Sequence, residues 1–208
     1  MAGFARVEPA VEGRPFSPAQ ILHLMKTEFA RAHRHGLSLS CVLIEVDRLQ
    51  SLTELHGLEL RDAVRTELGR LVADKTRGHD HVGLARADRC MLLLPHTAGA
   101  RALGVCERLR TGFAALEVEA NGAVVPVTLS FGVASHEAET LFFDTLVSQA
   151  EVALDWAIQE GGDRAVLFRK ERFLTAGDHG SASVPEPSEA RHEDPPGRRR
   201  EDHRDHPV

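Results

Sequence analysis

Residues 76–95, TRGHDHVGLARADRCMLLLP, place two apolar runs on either side of a short charged turn. The runs HVGLA and CMLLLP predict the two strands of a hairpin. Its tip, RADR, carries two arginines and an aspartate where tight hairpins favour glycine or asparagine. Such a tip is either an ordinary solvated turn or the remnant of a site whose chemistry has been lost. The segments around the hairpin bear on that choice.

A helix and a buried strand precede the hairpin. Ser17 and Pro18 predict a helix start, with serine as the N-cap and proline at the first helical position, and apolar residues continue at helical spacing until near Gly36. Residues 38–47, SLSCVLIEVD, are apolar almost without interruption, which predicts a strand in the centre of a sheet. Leucines then follow in a two-part helical stretch that breaks around residues 56–57.

Helices and strands alternate again after the hairpin. Residues 102–116 predict an amphipathic helix, and residues 123–135 supply strand material. A helix from about 143 to 160 then leads to a last strand at 164–168. Elements of this kind on both sides of one hairpin predict an α/β fold in which helices cover a mixed central sheet.

Composition limits the classes of protein. A net charge of −6 argues against general binding to nucleic acid, and no stretch reaches the roughly 18 apolar residues that a membrane helix needs. The start of the chain lacks the apolar segment of a secretory signal, and three widely separated cysteines are typical of a reduced protein. We therefore expect a cytoplasmic protein that binds neither nucleic acid nor a membrane.

The chain is expected to contain one folded domain with two extensions. We predict an irregular arm over 1–17, the domain over 18–170 and a disordered tail over 171–208. The tail is rich in proline, serine and charge, and its few apolar residues cannot offset the entropy lost on ordering. Within the domain, three aromatic residues are predicted to lie in the core rather than to form a stacking platform: Phe142, Phe143 and Trp156.

Four phrases of the sequence carry a resemblance to a known family. They are CVLIEVD at 41–47, MLLLP at 91–95, TLSFGVAS at 128–135 and AEVALDWAIQEGG at 150–162. In this order and spacing they resemble the GGDEF domain of diguanylate cyclases, which condense two GTP molecules into cyclic di-GMP. The resemblance covers residues 18–168 and implies a GGDEF-like fold of the nucleotidyl cyclase type.

The signature of that family is altered in this chain. Its Gly-Gly-Asp/Glu-Glu-Phe tip falls on Arg86, Ala87, Asp88, Arg89 and Cys90. Arg86 fills space that the family's glycine leaves for the nucleotide, and Arg89 reverses the charge of the family's glutamate. The resemblance implies metal-binding carboxylates at Asp88 and at Glu45, so Mg²⁺ could still bind, although no cofactor is expected to be required. Cys90 is expected simply to pack.

The positions implied to hold GTP are also changed. The asparagine and aspartate that read guanine in the family correspond to Thr53 and Glu54, whereas Asp62 matches the second aspartate. The lysine and arginine that neutralise the triphosphate correspond to Ile158 and Gly162. Loss of both cations removes electrostatic stabilisation of the transition state. We therefore expect a degenerate diguanylate cyclase that is not an enzyme.

A short motif lies just before the hairpin. Arg77 and Asp80 form an R-x-x-D, and five residues separate it from Arg86. In many GGDEF domains an R-x-x-D at this distance is an inhibitory site for cyclic di-GMP, and the resemblance adds an arginine of the following helix, here Arg108 with Arg110 as a second candidate. A guanidinium can bind guanine or phosphate in bidentate fashion, and the aspartate can accept hydrogen bonds from guanine.

A structural interpretation of the motif stays open. The same four-residue pattern recurs at 191–194 and 199–202 in the tail. Its position five residues before the altered signature is what distinguishes the motif at Arg77 and Asp80 from these two. Arg77 and Asp80 could simply form a solvated i,i+3 pair at a helix end, with Gly78 as the C-cap.

Three functions remain at this point. The leading one is a receptor that binds cyclic di-GMP at Arg77, Asp80 and Arg108, with a ligand pair joining two subunits as one arrangement, and that signals through an unidentified protein partner. The second is residual or altered nucleotidyl cyclase activity using Glu45 and Asp88 with Mg²⁺. The third is a dimerisation scaffold that binds no nucleotide.

Overall fold

The computed structural model describes residues 16–86, 89–136 and 142–170, without the side chains of residues 85 and 86. The predicted arm, apart from residues 16 and 17, and the predicted tail lie outside the described residues. So do two residues of the altered signature, Ala87 and Asp88, and the metal role expected of Asp88 therefore stays a prediction.

Five helices and seven strands follow one another along the described chain. In order they are α1 (Pro18–His35), β1 (Leu39–Val46), α2 (Leu49–His56), α3 (Leu58–Lys75), β2 (His81–Arg86), β3 (Arg89–Pro95), α4 (Gly99–Ala114), β4 (Val118–Ala120), β5 (Ala123–Val125), β6 (Leu129–Ser135), α5 (Phe143–Gln159) and β7 (Ala165–Leu167). The predicted hairpin corresponds to β2 and β3, and the break at residues 56–57 separates α2 from α3.

The central sheet is mixed, as predicted. Its five strands have the order β2-β3-β1-β6-β7. Strand β1 pairs antiparallel with both β3 and β6, and β7 joins β6 in parallel. The continuously apolar β1 is therefore central, because it has helices on both faces and neighbours at both edges.

Two apolar layers cover the sheet. On one face, α3 and α4 pack on β1, β3 and β6 through residues such as Val42, Ile44 and Phe131. On the other face, α1 and α5 pack on the alternate residues of the same strands, among them Leu43 and Met91. Successive side chains of a strand point to opposite faces, so a strand that is apolar at most positions fills both layers.

The first helix begins and ends where the sequence predicts. The Ser17 hydroxyl accepts a hydrogen bond from the Gln20 N–H, and the Gln20 side chain accepts one from the Ser17 N–H, which completes a capping box. Gly36 closes the helix in the left-handed conformation with φ of 61°. Phe16, which precedes the N-cap Ser17, exchanges backbone hydrogen bonds with Val82 and Leu84 along the outer edge of β2.

The strand material predicted over 123–135 forms two strands. Ala123–Val125 pairs with Val118–Ala120 in a separate two-stranded sheet, and Leu129–Ser135 joins the central sheet. Pro126 lies between the two and cannot donate to a ladder. Phe142 is not in the core but 67% exposed, since it precedes the first turn of α5. Phe143 and Trp156 are partly buried against core residues, as predicted.

Within the part of the chain that the structure describes, no helix is both long and apolar enough to cross a membrane.

Candidate ligand-binding site

A cavity of about 330 Å³ lies where the end of α3, the end of β3 and the first half of α4 meet. It brings together Arg77, Asp80 and Arg108, which the sequence singled out. Arg77 and Asp80 belong to the turn between α3 and β2, whereas Arg108 comes from α4. The structure thus places all three side chains around one space.

The R-x-x-D segment forms a tight turn closed by its own aspartate. The Asp80 carboxylate accepts a hydrogen bond from the backbone N–H of Arg77 at 2.8 Å, and the Asp80 N–H donates to the Arg77 carbonyl at 2.9 Å. The aspartate therefore contacts the Arg77 backbone, and Arg77 lines the cavity beside it. The cap of α3 is Thr76, so the interpretation of Gly78 as the C-cap is wrong.

The structure separates the two candidate arginines of α4. Arg108 lines the cavity, and its Nη1 donates to the Gly104 carbonyl one turn earlier, at 3.0 Å. Arg110 instead forms ion pairs with Glu107 at 2.7 Å and with Asp163 at 2.9 Å, and it borders a different, more open cavity. Hydrogen bonding to Arg110 lowers the pKa of Glu107. Arg108 is thus the arginine that the fold delivers to the R-x-x-D turn.

Three further basic residues line the cavity, and sequence reasoning missed them: Lys75, His96 and Arg101. Arg101 and Arg108 are seven residues apart on α4, a spacing that puts both on one helix face and that could have signalled the pair. Among the described residues that line the cavity, Asp80 is the single acidic residue, against five basic ones. An excess of guanidinium and ammonium groups in one concave site favours a ligand that carries phosphates.

The altered signature has a defined geometry at its described end. Arg89 and Glu45 are cross-strand partners of β3 and β1, and Arg89 Nε donates to Glu45 Oε2 at 2.5 Å. The same guanidinium reaches Asp155 of α5, with Nη2 and Oδ1 3.4 Å apart. The side chains of Arg89 and Glu45 are only 25% and 28% exposed, so the pair is largely shielded from water.

These contacts bear on the expected Mg²⁺ site. A divalent cation at Glu45 would compete with a guanidinium that already neutralises the carboxylate. Among the residues that the structure describes, no three His, Cys, Asp or Glu side chains come together as metal ligands. Glu45 is thus already paired with a cation, and the other expected ligand, Asp88, lies outside the described residues, so the Mg²⁺ site stays a prediction. Cys90, next to Arg89, packs against the core as expected.

The positions implied to hold GTP serve other purposes in this fold. The Thr53 hydroxyl donates to the Leu49 carbonyl within α2, and Glu54 accepts a hydrogen bond from Gln50. Asp62 lies on the surface of α3. Ile158 packs against the apolar layer beneath α1 and α5, and Gly162 turns the chain after α5 with φ of 77°. Neither of the last two supplies a positive charge.

Asp47, which the sequence did not single out, holds the region beside Gly162 in place. Its carboxylate accepts hydrogen bonds from the hydroxyls of Thr128 and Ser130, each at 2.6 Å, and from the backbone N–H of Asp163 at 2.9 Å. A Cβ at position 162 would lie 2.8 Å from its Oδ1. The glycine thus meets both a backbone and a packing requirement.

Comparison with known proteins identifies the family. A family model described as the GGDEF domain of diguanylate cyclases matches residues 19–164. The chain belongs to the GGDEF family. The mixed sheet, the hairpin and the covering helices described above are thus those of a GGDEF domain.

Individual GGDEF proteins show the extent of the similarity. Diguanylate cyclase A of Treponema denticola is 25% identical over 132 residues, which is 64% of this chain and 36% of that protein. The chain spans about a third of the length of the curated relatives it matches. The crystal structure of diguanylate cyclase SiaD with its activator SiaC, from Pseudomonas aeruginosa, superposes with a TM-score of 0.68 at 28% identity and covers 73% of this chain and 58% of that one.

A more distant GGDEF structure contains the nucleotide itself. The GGDEF domain of DgcB from Caulobacter crescentus, in complex with c-di-GMP, superposes with a TM-score of 0.70, covering 79% of this chain and 98% of that one. Its sequence identity is 12%, so this likeness establishes the shared fold.

Proposed function

We propose that this GGDEF domain is a catalytically inactive receptor for cyclic di-GMP, which binds at Arg77, Asp80 and Arg108 and signals through a protein partner. The observation that carries the proposal is the basic cavity in which those three side chains meet. The contrast with the signature end of β1 and β3, where Arg89 neutralises Glu45, points the same way.

The chemistry of the cavity suits this ligand. Cyclic di-GMP carries two phosphates and two guanines, and guanidinium groups bind both phosphate oxygens and the O6/N7 edge of guanine in bidentate fashion. The Asp80 carboxylate uses Oδ2 for the Arg77 N–H. A carboxylate has further acceptor sites, and these can accept hydrogen bonds from the N1–H and amino group of a guanine. Lys75 and Arg101 add positive charge for the phosphates.

The inactivity that we propose has a physical cause. Phosphoryl transfer depends on metal ions and cations that stabilise charge in the transition state. Here a guanidinium contacts the carboxylate at the end of β1, and Ile158 and Gly162 stand where the family resemblance implies cations. We further propose residues 18–170 as the receptor domain and 171–208 as a tail. The buried free thiols of Cys41 and Cys106 suit the proposed cytoplasmic location.

Calorimetric titration of cyclic di-GMP tests the receptor. We expect the wild type to bind and the Arg77→Ala/Asp80→Ala variant to bind at least about tenfold more weakly, because a bidentate contact and its acceptor partner are both lost. Arg110→Ala is the matched control, since Arg110 pairs with Glu107 and Asp163 outside this cavity. A folded wild type that stays silent at tens of micromolar ligand contradicts the receptor.

Incubation with GTP and either Mg²⁺ or Mn²⁺, followed by chromatography, tests the inactivity. We expect no cyclic di-GMP from the wild type. Arg89→Glu, which restores the charge of the family's signature, should also stay inactive because Ile158 and Gly162 remain. Product from the wild type would establish the competing function, a residual cyclase.

The oligomeric state tests the remaining alternative. Light scattering with and without cyclic di-GMP measures whether two subunits associate, and partner capture is compared between the wild type and Arg77→Ala. If neither cyclic di-GMP nor Arg77→Ala changes dimerisation or the amount of partner captured, the nucleotide-free scaffold is favoured.

A further inference from the structure

Gly104 lies in the interior of α4 and borders both the basic cavity and the more open cavity beside Arg110. Glycine is a poorer helix former than alanine, because it loses more backbone entropy and offers no side chain to pack. A glycine at mid-helix therefore calls for a reason, such as a close neighbour or an unusual backbone conformation. Two other glycines of α4 help to decide whether Gly104 has one.

Packing explains the other glycines of α4. A Cβ at Gly99 would lie 2.8 Å from Leu167, and a Cβ at Gly112 would lie 3.1 Å from Leu71. A Cβ at Gly104 would instead meet its nearest atom, Arg108 Nη1, at 3.9 Å, an ordinary van der Waals distance. Gly104 also does not have a positive φ. The folded protein thus has room for a side chain at this position.

The surroundings of Gly104 indicate what uses that room. Arg101 and Arg108 flank it on the same face of α4, and both line the cavity. Arg108 Nη1 donates to the Gly104 carbonyl and would also be the atom nearest to a Cβ at position 104. A side chain there would therefore extend beside the Arg108 guanidinium. The helix presents a stretch of bare backbone between two guanidinium groups.

We infer that Gly104 is a ligand-positioning residue: its missing side chain lets a flat guanine ring lie against α4 between Arg101 and Arg108. The inference rests on the proposed function, since it names the surface on which a base of cyclic di-GMP is seated. Planar guanidinium groups stack on aromatic rings, so the two arginines would hold the ring by its faces and edge while Gly104 sets the depth of the site.

The test compares two glycine-to-alanine variants by calorimetric titration of cyclic di-GMP and by thermal unfolding. Gly69→Ala is the matched control, because Gly69 also lies inside a helix but does not line the cavity. A Cβ at position 69 would meet no neighbouring atom within 4 Å. Both variants should unfold at a higher temperature than the wild type. Gly104→Ala should weaken binding at least about tenfold, whereas Gly69→Ala should leave it unchanged.

Each result has one meaning. Loss of affinity in a more stable Gly104→Ala supports the inference, because a damaged fold cannot explain it. Equal affinity in wild type and Gly104→Ala overturns the inference and leaves the receptor intact. A lower unfolding temperature for Gly104→Ala also overturns it, since Gly104 would then serve the fold. A wild type that does not bind cyclic di-GMP overturns both the inference and the proposed function.

Discussion

At the scale of single residues, Asp47 shows how one carboxylate joins distant parts of the fold. It follows β1, yet it accepts hydrogen bonds from Thr128 and Ser130 near the start of β6 and from the Asp163 N–H before β7. The three donors keep the ends of these strands together. They also fix the turn that places Asp163 beside Arg110.

Asp47→Ala should lower the free energy of unfolding by about 2–4 kcal/mol, because three donors lose a charged acceptor in a partly buried site. Urea denaturation measures the change. Asp74→Ala is the control: Asp74 is largely exposed and forms an ion pair with its exposed neighbour Lys75, so a change within about 0.5 kcal/mol is expected. An Asp47→Ala variant as stable as the control would show that the hydrogen bonds add nothing net.

At the scale of elements, the contact between β6 and α5 depends on a missing side chain. A Cβ at Gly132 would collide with the backbone of α5, at the Ala150 carbonyl and the Leu154 N–H. Backbone atoms of a helix cannot move aside as a flexible side chain can. The helix therefore lies closer to β6 than any other residue at position 132 would permit.

Gly132→Ala should destabilise the domain by about 3 kcal/mol or more, since α5 must shift as a unit and its whole apolar layer with it. Soluble yield and the unfolding temperature are the measurements. Gly69→Ala is the comparison, because a Cβ at position 69 would lie in open space. If both variants unfolded above the wild type, the tight packing of α5 on β6 would be wrong.

At the scale of the whole molecule, two histidines couple stability to pH in the same direction. Burial lowers the pKa of His81, partly opposed by the charges of Glu28 and Asp80. Burial and then the charge of His33 lower the pKa of His136. The folded protein thus binds protons less readily than the unfolded chain, whose histidines titrate near about pH 6.5.

Stability from these histidines is complete above the unfolded pKa and is lost as the pH falls through the lowered folded pKa. We expect the unfolding temperature to fall between about pH 7.5 and 5.5. The decrease should be smaller in the double variant His81→Gln/His136→Gln. The control is His23→Gln, on the exposed side of α1, in which the decrease should match that of the wild type. A wild-type unfolding temperature that is flat or rises over this range would contradict the assignment. The Glu107 carboxyl, with a lowered pKa, acts only at more acidic pH.

Local chemistry in the sequence determined the elements of this protein. The Ser17–Pro18 start and the Gly36 end of α1 follow from capping and backbone conformation. The nearly continuous apolar run of β1 predicted a central strand, and the spacing of Arg77 and Asp80 predicted a motif that proves to be a turn closed by Asp80. Each of these depends on residues a few positions apart.

Tertiary structure alone decided which side chains meet. Arg89 binds Glu45 across 44 positions and Asp155 across 66, and Asp47 reaches Asp163 across 116. The same holds for the places of Lys75 and His96 in the cavity that Arg77, Asp80 and Arg108 line. Such contacts are set by how strands pair and helices pack, so no local pattern encodes them. The sequence by itself therefore determined the elements, the motif and the first candidate residues, and folding decided which distant side chains join them.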